Sequence, residues 1–314
     1  MSDTAPTKES PNATEILEDA IKTQSTSQLD KALWEAVNNL DFEKSEEFAK
    51  EALRKVVRAG SSVLAAHLIE SEGVPISALD ELDIGHNPSI PLFETLAANG
   101  WDVNQASPKD NWRRGRRTID RVIGDHELVV WLVEHGADVN HGEEEYDFEP
   151  RPPLLTVNCA ASGSVETFKY LLSHGARIGR RTMHLAAGEA AAVGANPGGV
   201  HQTDSTTEQS NDKEDSKSAL QRRREREEML RYLVDELGLD VNAQDSDSDA
   251  AKRRHYGTPL NYAVQHKDGV AVVRWLLQKG ADPTLKGISM AAEPRTIAES
   301  SGYMDIAEAL ADKS

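Results

Sequence analysis

The sequence has 314 residues, and its 53 acidic and 35 basic side chains give a formal net charge of −18. This acidic excess disfavours general binding to DNA or to anionic lipid, because both ligands require clustered Lys and Arg. The single cysteine, Cys159, excludes an intrachain disulfide and a cysteine-rich zinc site. No run of about 18 apolar residues occurs, so the sequence predicts no membrane-spanning helix.

The first 60 residues divide into two segments. Residues 1–28 are rich in Ser, Thr, Pro and charged side chains, which predicts a disordered acidic tail. Over residues 29–60 the apolar positions recur at three- and four-residue steps, beginning with Leu33, Trp34 and Val37. That spacing predicts an N-terminal helical cap.

Residues 61–312 repeat one phrase, in which an apolar helix end is followed by Gly and a short polar turn. The phrase is clearest at Leu132–Asn140 and at Leu276–Pro283. Weaker copies contain Gly73, Gly100, Gly175 and Gly238. Each glycine suits the left-handed position that follows a helix, where a side chain would clash.

Two segments interrupt the repeats. Residues 196–218 contain almost no large apolar side chain, and they lie in the longest gap between the repeated glycines, so a disordered insertion is predicted there. Residues 243–256 are predicted to form a polar loop. Its Asp245, Asp247 and Asp249 imitate the start of a calcium loop, but Ala250 and Tyr256 stand where that loop needs Gly and Glu. We therefore interpret this acidic run as a solvated hairpin extension.

The first helix of each repeat carries a recognisable motif. Thr258-Pro259-Leu260-Asn261-Tyr262-Ala263 and the shortened Thr182-Met183-His184-Leu185-Ala186-Ala187 resemble the Thr-Pro-Leu-His motif of the ankyrin-repeat family. The resemblance implies an all-α fold, an ankyrin-repeat solenoid of stacked helix-turn-helix units with β-turn or hairpin loops. It implies about six repeats with terminal caps. Because the motif's His survives only as His184, with Asn261, Thr118 and Thr296 at the matching positions, we expect incomplete Thr–His hydrogen bonding.

The sequence offers no constellation typical of catalysis, so we predict no catalytic residue, no cofactor and no metal site. It contains no His-Glu-x-x-His pair, no phosphate-binding Gly-rich loop and no Gly-x-Ser-x-Gly elbow. Cys159 stands beside Ala160 and Ala161 in a predicted helix, where it packs as a small apolar residue. The turn asparagines Asn104, Asn140 and Asn242 are expected to hydrogen-bond the turn backbone.

Two neighbouring hairpins carry side chains that are unusual for plain connectors. One is basic and the other is acidic, and both contain aromatic residues, which together with Arg are favoured interface anchors. The predicted partner-binding residues are Trp112, Arg113, Arg114, Arg116, Arg117, Tyr146 and Phe148. The alternative is that the aromatic residues only cover the edges of the stack. A second basic run, Arg222 to Arg226, alternates with glutamates and is interpreted as solvated.

These observations favour a noncatalytic protein–protein interaction scaffold that binds its partner through hairpin tips and the concave helix face. The alternative is a substrate adaptor or regulatory subunit that recruits a target to a separate enzyme. We expect a monomer that binds another protein, and we expect neither a membrane nor a nucleic-acid partner. The reducing compartment favoured by a single cysteine is the cytoplasm or the nucleus.

Overall fold

The computed structural model describes residues 12–107, 115–142, 153–198, 213–245, 257–287 and 292–311, without the side chains of 213–218. Within these ranges every regular element is a helix, and an isolated antiparallel bridge joins Ala106 to Arg117. No described helix reaches the combination of length and apolar character that crossing a bilayer requires. The all-α fold expected from the sequence is confirmed.

The helices follow in this order: α1 Ala13–Thr23, α2 Thr26–Asn39, α3 Phe42–Arg58, α4 Ser62–Ala66, α5 Glu81–Ile84, α6 Ile90–Ala98, α7 Thr118–Arg121, α8 His126–Glu134, α9 Leu155–Ser162, α10 Val165–Ser173, α11 Thr182–Ala192, α12 Lys213–Arg231, α13 Pro259–Ala263, α14 Val270–Gln278, α15 Pro294–Ser300 and α16 Met304–Ala311. A π-helical turn extends α4 over His67–Ser71 and another extends α12 over Tyr232–Glu236. A 3-10 turn at Ile76–Ala78 precedes α5.

The disordered tail predicted for residues 1–28 is wrong for residues 13–28, which lie in α1 and α2. The Asn12 side chain and Glu15 form a capping box at the start of α1. Ile16 and Leu17 are then buried on one face of α1. The prediction relied on the composition of the segment and overlooked its local pattern. An Asn three residues before a Glu, followed by paired apolar residues one turn apart, indicates the start of a helix.

The structure separates into two compact units. The first consists of Met1–Asn111, Arg116–Val122 and Glu134–Ala137, and the second of Trp112–Gly115, Ile123–Val133 and Asp138–Ser314. In the first unit, α3, α5 and α7 contact one another in succession, and α4 contacts α6. Arg58 Nε donates to Asp83 Oδ1 at 2.7 Å, which ties the end of α3 to α5.

The second unit repeats the same arrangement. Helices α9, α11, α13 and α15 contact one another in succession, while α10 contacts α12 and α14 contacts α16. Small residues such as Ala160, Ala187 and Ala263 are fully buried along the first row, so the helix backbones approach closely. Large residues such as Phe168 and Leu276 fill the space in the second row.

The glycines that mark the repeats adopt the conformation predicted for them. Gly136 has φ +90° and Gly280 has φ +94°, and the other four also have positive φ. A Cβ placed on Gly136 would have no heavy atom within 4 Å. The backbone conformation, and not lack of space, therefore requires glycine at this position.

The disordered insertion predicted over 196–218 is wrong at its C-terminal end, because residues 213–218 already belong to α12. Residues 199–212 lie outside the described part of the chain, and so do residues 246–256 of the predicted polar loop.

Candidate functional site

The predicted partner-binding residues fall mostly outside the described ranges. Trp112, Arg113, Arg114, Tyr146 and Phe148 belong to segments that the structure does not describe. The two remaining residues, Arg116 and Arg117, lie at the base of the first hairpin.

The base of this hairpin is held by its own backbone. Ser107 N donates to Arg116 O at 2.8 Å, and Arg116 N donates to Ser107 Oγ at 3.1 Å. Arg117 Nη1 donates to Asn104 Oδ1 at 2.8 Å, and Arg117 N donates to Asp120 Oδ2 at 2.9 Å. Arg117 therefore fixes the hairpin base to the first turn of α7.

The turn asparagines join each hairpin to the next one. Asn104 Nδ2 donates to Gly136 O at 2.9 Å, and Asn140 Nδ2 donates to Gly175 O at 2.9 Å. Asn242 repeats the contact with Gly280 O at 3.0 Å. In each pair the acceptor is the left-handed glycine of a following repeat.

Each asparagine is itself positioned by the aspartate two residues earlier. Asp138 Oδ1 accepts a hydrogen bond from Asn140 N at 2.9 Å, and the same contact recurs at Asp102 with Asn104 and at Asp240 with Asn242. The Oδ1 atom of Asn140 accepts from Arg177 N at 2.8 Å. Sequence reasoning predicted that these side chains bond turn backbone, but it did not predict that the bond reaches the next repeat. The recurring Gly-x-Asp-x-Asn phrase is the signal for this bridge.

A buried polar network holds the base of the 243–258 segment. Asp245 N donates to Gly257 O at 3.0 Å, while Gly257 N donates to Asp245 Oδ1 at 3.2 Å. Tyr262 Oη donates to Asp245 Oδ2 at 2.7 Å and accepts from Arg181 Nη2 at 2.9 Å. The interpretation of Asp245 as part of a solvated run is therefore wrong. A carboxylate that accepts hydrogen bonds from two groups of the protein can be buried, because those bonds replace the ones it would make to water.

His184 lies beside this network and is neutral. Its Nε2 donates to Ala243 O at 2.8 Å, and its ring stands edge-on to the ring of Tyr262. Burial lowers the pKa of His184 to about 4, against a smaller opposing effect of Asp245. Burial also raises the pKa of Tyr262. The imidazole thus joins α11 to the turn before α13 as an uncharged hydrogen-bond donor.

The missing histidine of the next repeat is replaced by a local contact. Asn261 Oδ1 accepts from Thr258 N and from Thr258 Oγ1, both at 2.9 Å, and closes a capping box at the start of α13. The first turn of α13 is therefore held although the family's histidine is absent.

Arg226 is buried, so the interpretation of its basic run as wholly solvated is wrong at this residue. Its Nη1 donates to Ala160 O at 3.1 Å and its Nη2 donates to Gly163 O. These carbonyls lie at the C-terminal end of α9, where backbone acceptors lack helical partners and a positive charge is favourable. Arg226 thus caps α9, and Arg222 and Arg224 remain exposed.

Cys159 is buried, and burial raises the pKa of its thiol to about 12. The nearby Arg226 lowers the pKa by a smaller amount. A thiol in this setting stays protonated at neutral pH, so it packs like a small apolar residue, as the sequence predicted.

Among the described residues, one group could supply three metal ligands within 4.8 Å of one another: Asp30, His67 and Glu72. His67 Nε2 already contacts Asp30 Oδ1 at 2.5 Å and lies 4.0 Å from Glu72 Oε1. Both carboxylates are exposed. The observed contact is an ion pair of the protonated imidazole or a hydrogen bond of the neutral one, and it joins α2 to the turn after α4.

Comparison with known proteins identifies one of these repeats. The family model for the ankyrin repeat matches residues 256–288, which contain α13, α14 and Gly280. A left-handed glycine also ends the other repeats, and the bridging asparagine occurs at Asn104, Asn140 and Asn242. The chain contains an ankyrin repeat. Ankyrin repeats generally mediate protein–protein interaction.

Among solved structures, this chain is similar to a crystal structure of EF0377, an ankyrin repeat protein. The similarity covers 74% of this chain and 96% of that chain, with 16% sequence identity and a TM-score of 0.44. No relative was found among curated proteins.

Proposed function

We propose that this chain is a noncatalytic ankyrin-repeat scaffold that binds another protein through its hairpin tips and the concave face of its helix pairs. The observation that carries the proposal is the set of asparagine bridges between successive hairpins. Each bridge fixes the spacing of two hairpin bases, so the bases themselves lose little conformational freedom when a partner binds. A surface ordered before binding reduces the entropy cost of association.

The proposed anchors are the aromatic and basic residues beyond the hairpin bases, namely Trp112, Arg113, Arg114, Tyr146 and Phe148. Arg117 lies at the base of the first hairpin, where its guanidinium donates to Asn104. Arg116 lies beside it at the base, where its backbone pairs with Ser107. The competing role for the aromatic residues is to cover the edges of the stack.

A double variant, Trp112→Ala with Tyr146→Ala, separates these two roles. We expect partner recovery in quantitative affinity purification to fall about tenfold or more, with an unchanged melting temperature. The matched control is Ile178→Ala with Met304→Ala, which removes two exposed apolar side chains elsewhere. A lower melting temperature of the Trp112/Tyr146 variant would show that these residues are structural.

The alternative is a substrate adaptor or regulatory subunit, whose second recognition module would be the helical pair α1 and α2 that precedes the repeats. Recovery of an enzyme in fixed proportion to the chain would favour the adaptor. Recovery of nonenzymatic partners, lost in the Trp112/Tyr146 variant, would favour the simple scaffold.

A further inference from the structure

Four apolar side chains are exposed where α2 passes into α3, and we name them the α2–α3 patch. Their exposed fractions are 61% for Trp34, 66% for Val37, 39% for Leu40 and 83% for Phe42. The other described tryptophans, Trp101, Trp131 and Trp275, are at most 8% exposed. Large apolar residues that cluster on a surface mark interaction sites more often than isolated ones do.

The four residues lie on the C-terminal part of α2, its C-cap and the first turn of α3. Trp34 and Val37 lie three residues apart on α2, so they are neighbours on the helix surface, and Leu40 follows them at the C-cap. Asp41 caps α3 by accepting a hydrogen bond from Lys44 N at 2.9 Å, which makes Phe42 the first residue of that helix. The patch is therefore built on two helix ends joined by a two-residue link.

The local packing does not need these side chains. The buried face of α2 consists of Leu29, Ala32 and Ala36. A hydrophobic staple at the start of α3 would pair Leu40 with the residue at the fourth helical position, which is Ser45. Because Ser45 is polar, Leu40 has no apolar partner in that motif. The exposed patch therefore has no evident role in the stability of the helices.

The surroundings of the patch are acidic. Residues 30–47 contain six acids and two lysines, a local charge of 2 − 6 = −4. Asp30 lies four residues before Trp34 and Glu46 lies four residues after Phe42, so each stands next to the patch on its own helix. Asp30 contacts His67 and Glu46 contacts Lys50, so part of their charge is already balanced within the chain. Glu43, adjacent to Phe42, is exposed.

We propose that the α2–α3 patch is a docking site for a basic amphipathic helix of another protein. Trp34 and Val37 belong to one ridge of α2, and Leu40 follows them as the extended C-cap. A ridge of this kind packs well against the surface of a second helix. Addition of a partner strand is disfavoured, because the backbone groups of α2 and α3 are used within the helices. Lys and Arg at the edges of the partner helix would face the acidic border.

The same charge argues against other occupants. An anionic lipid surface or a nucleic acid would be repelled by the acidic border. A second copy of this chain, related by two-fold symmetry, would place one acidic border against another. The site lies on α2 and α3, apart in sequence from the hairpin tips of the proposed function, so the two can succeed or fail separately.

The test uses the full chain and a synthetic peptide of about 18 residues, with Leu at every third or fourth position and Lys elsewhere. Binding is followed by fluorescence anisotropy of the labelled peptide. We expect saturable one-to-one binding that weakens about tenfold or more in Trp34→Ala with Phe42→Ala. Two peptide controls are needed, one with the same residues in scrambled order and one with Glu in place of Lys, and both should bind at least about tenfold more weakly.

Three protein controls define the result. Met304→Ala removes a similarly exposed apolar residue elsewhere and should leave the affinity unchanged. Glu43→Lys with Glu46→Lys should weaken binding of the basic peptide and reduce its dependence on salt. Trp112→Ala with Tyr146→Ala should have no effect, which distinguishes this site from the hairpin tips. Circular dichroism and the melting temperature establish that every variant is folded.

Three outcomes would overturn the proposal. Equal binding of the ordered and scrambled peptides, or equal binding by the patch variant, would show that the acidic chain attracts lysines without using the patch. Sedimentation that finds a wild-type dimer and a monomeric Trp34/Phe42 variant would assign the patch to self-association instead.

Discussion

Single side chains connect the repeats in this protein, and Asn140 shows how. Its amide donates to Gly175 O and accepts from Arg177 N, so one residue satisfies two backbone groups of the next turn. An ionised carboxylate at this position could not reproduce both contacts, because the bridge needs a donor as well as an acceptor and a carboxylate only accepts.

Replacement of Asn140 by Ala is expected to lower the free energy of unfolding by about 1–3 kcal/mol, because it removes two hydrogen bonds. Urea denaturation measures the change. The control is Asn39→Ala, whose exposed amide bonds only to Glu35 within α2 and whose loss should cost less than about 0.5 kcal/mol. Equal effects of the two substitutions would contradict a bridging role for Asn140.

His184 makes stability depend on pH. Its pKa of about 4 in the folded protein lies below the ordinary value of 6.5, so the unfolded chain binds a proton first as the pH falls. Stability therefore decreases from about pH 7 to pH 4. This one residue should account for about 2 kcal/mol between pH 7.5 and pH 5.

Urea denaturation of the wild type and of His184→Gln at several pH values isolates this effect from the carboxylates. The glutamine can still donate to Ala243 O but does not titrate. The difference in unfolding free energy between the wild type and His184→Gln should therefore change by about 2 kcal/mol between pH 7.5 and pH 5. A difference that stays constant from pH 7.5 to pH 5 would show that His184 is not held neutral by burial.

At the scale of the helix, the repeats depend on how each helix ends. Gly136 ends α8 with φ +90° and open space around its Cα. Any loss of stability caused by a side chain at this position comes from the backbone conformation and not from a steric clash. A substitution here therefore measures the energy of the left-handed conformation.

Substitution Gly136→Ala is expected to destabilise the protein by about 1–2 kcal/mol, and Gly136→Asn by less, because Asn tolerates the left-handed region better. Thermal or urea unfolding of the two variants makes the comparison. If Ala and Asn were equally costly, steric contact rather than backbone conformation would be the cause.

At the scale of the whole molecule, stability is shared between neighbouring repeats. Helices α15 and α16 pack on α13 and α14 and bury Ile297, Ile306 and Leu310. No helix pair closes its apolar face alone, so loss of a terminal pair exposes the pair beneath it.

Deletion of residues 293–314 is therefore expected to cost at least about 3 kcal/mol, since it removes three large buried side chains and uncovers others. The matched control deletes only residues 312–314, which follow α16, and should behave like the full chain. Urea denaturation measures the free energy of unfolding of the two truncated proteins. Equal stability of the two truncated proteins would contradict coupling between repeats.

The acidic charge is also a property of the whole chain, but it is unevenly distributed. Residues 1–52 contain 12 acids and five lysines, a charge of 5 − 12 = −7. Much of this charge surrounds the α2–α3 patch rather than a flexible tail. Part of the charge that led to the prediction of disorder for residues 1–28 also belongs to a folded helix, because Glu15, Glu18 and Asp19 lie in α1.

The sequence alone determined the helical class, the repeat phase and the glycine conformations. These features rest on local rules: apolar spacing of three and four residues defines a helix face, and a glycine after a helix defines its end. The replacement of the motif's histidine at Asn261 was also visible, although its consequence was not, because a capping box with Thr258 restores the first turn of α13.

Only the tertiary structure decided which polar residues are buried and what they bind. Arg226 and Asp245 belong to charged runs that resemble solvent-exposed segments, yet Arg226 caps α9, 63 residues away at Gly163, and Asp245 binds Tyr262. Asn140 likewise reaches Gly175, 35 residues on. Local sequence rules describe a residue and its near neighbours, whereas burial and long-range hydrogen bonds depend on which repeat packs beside it.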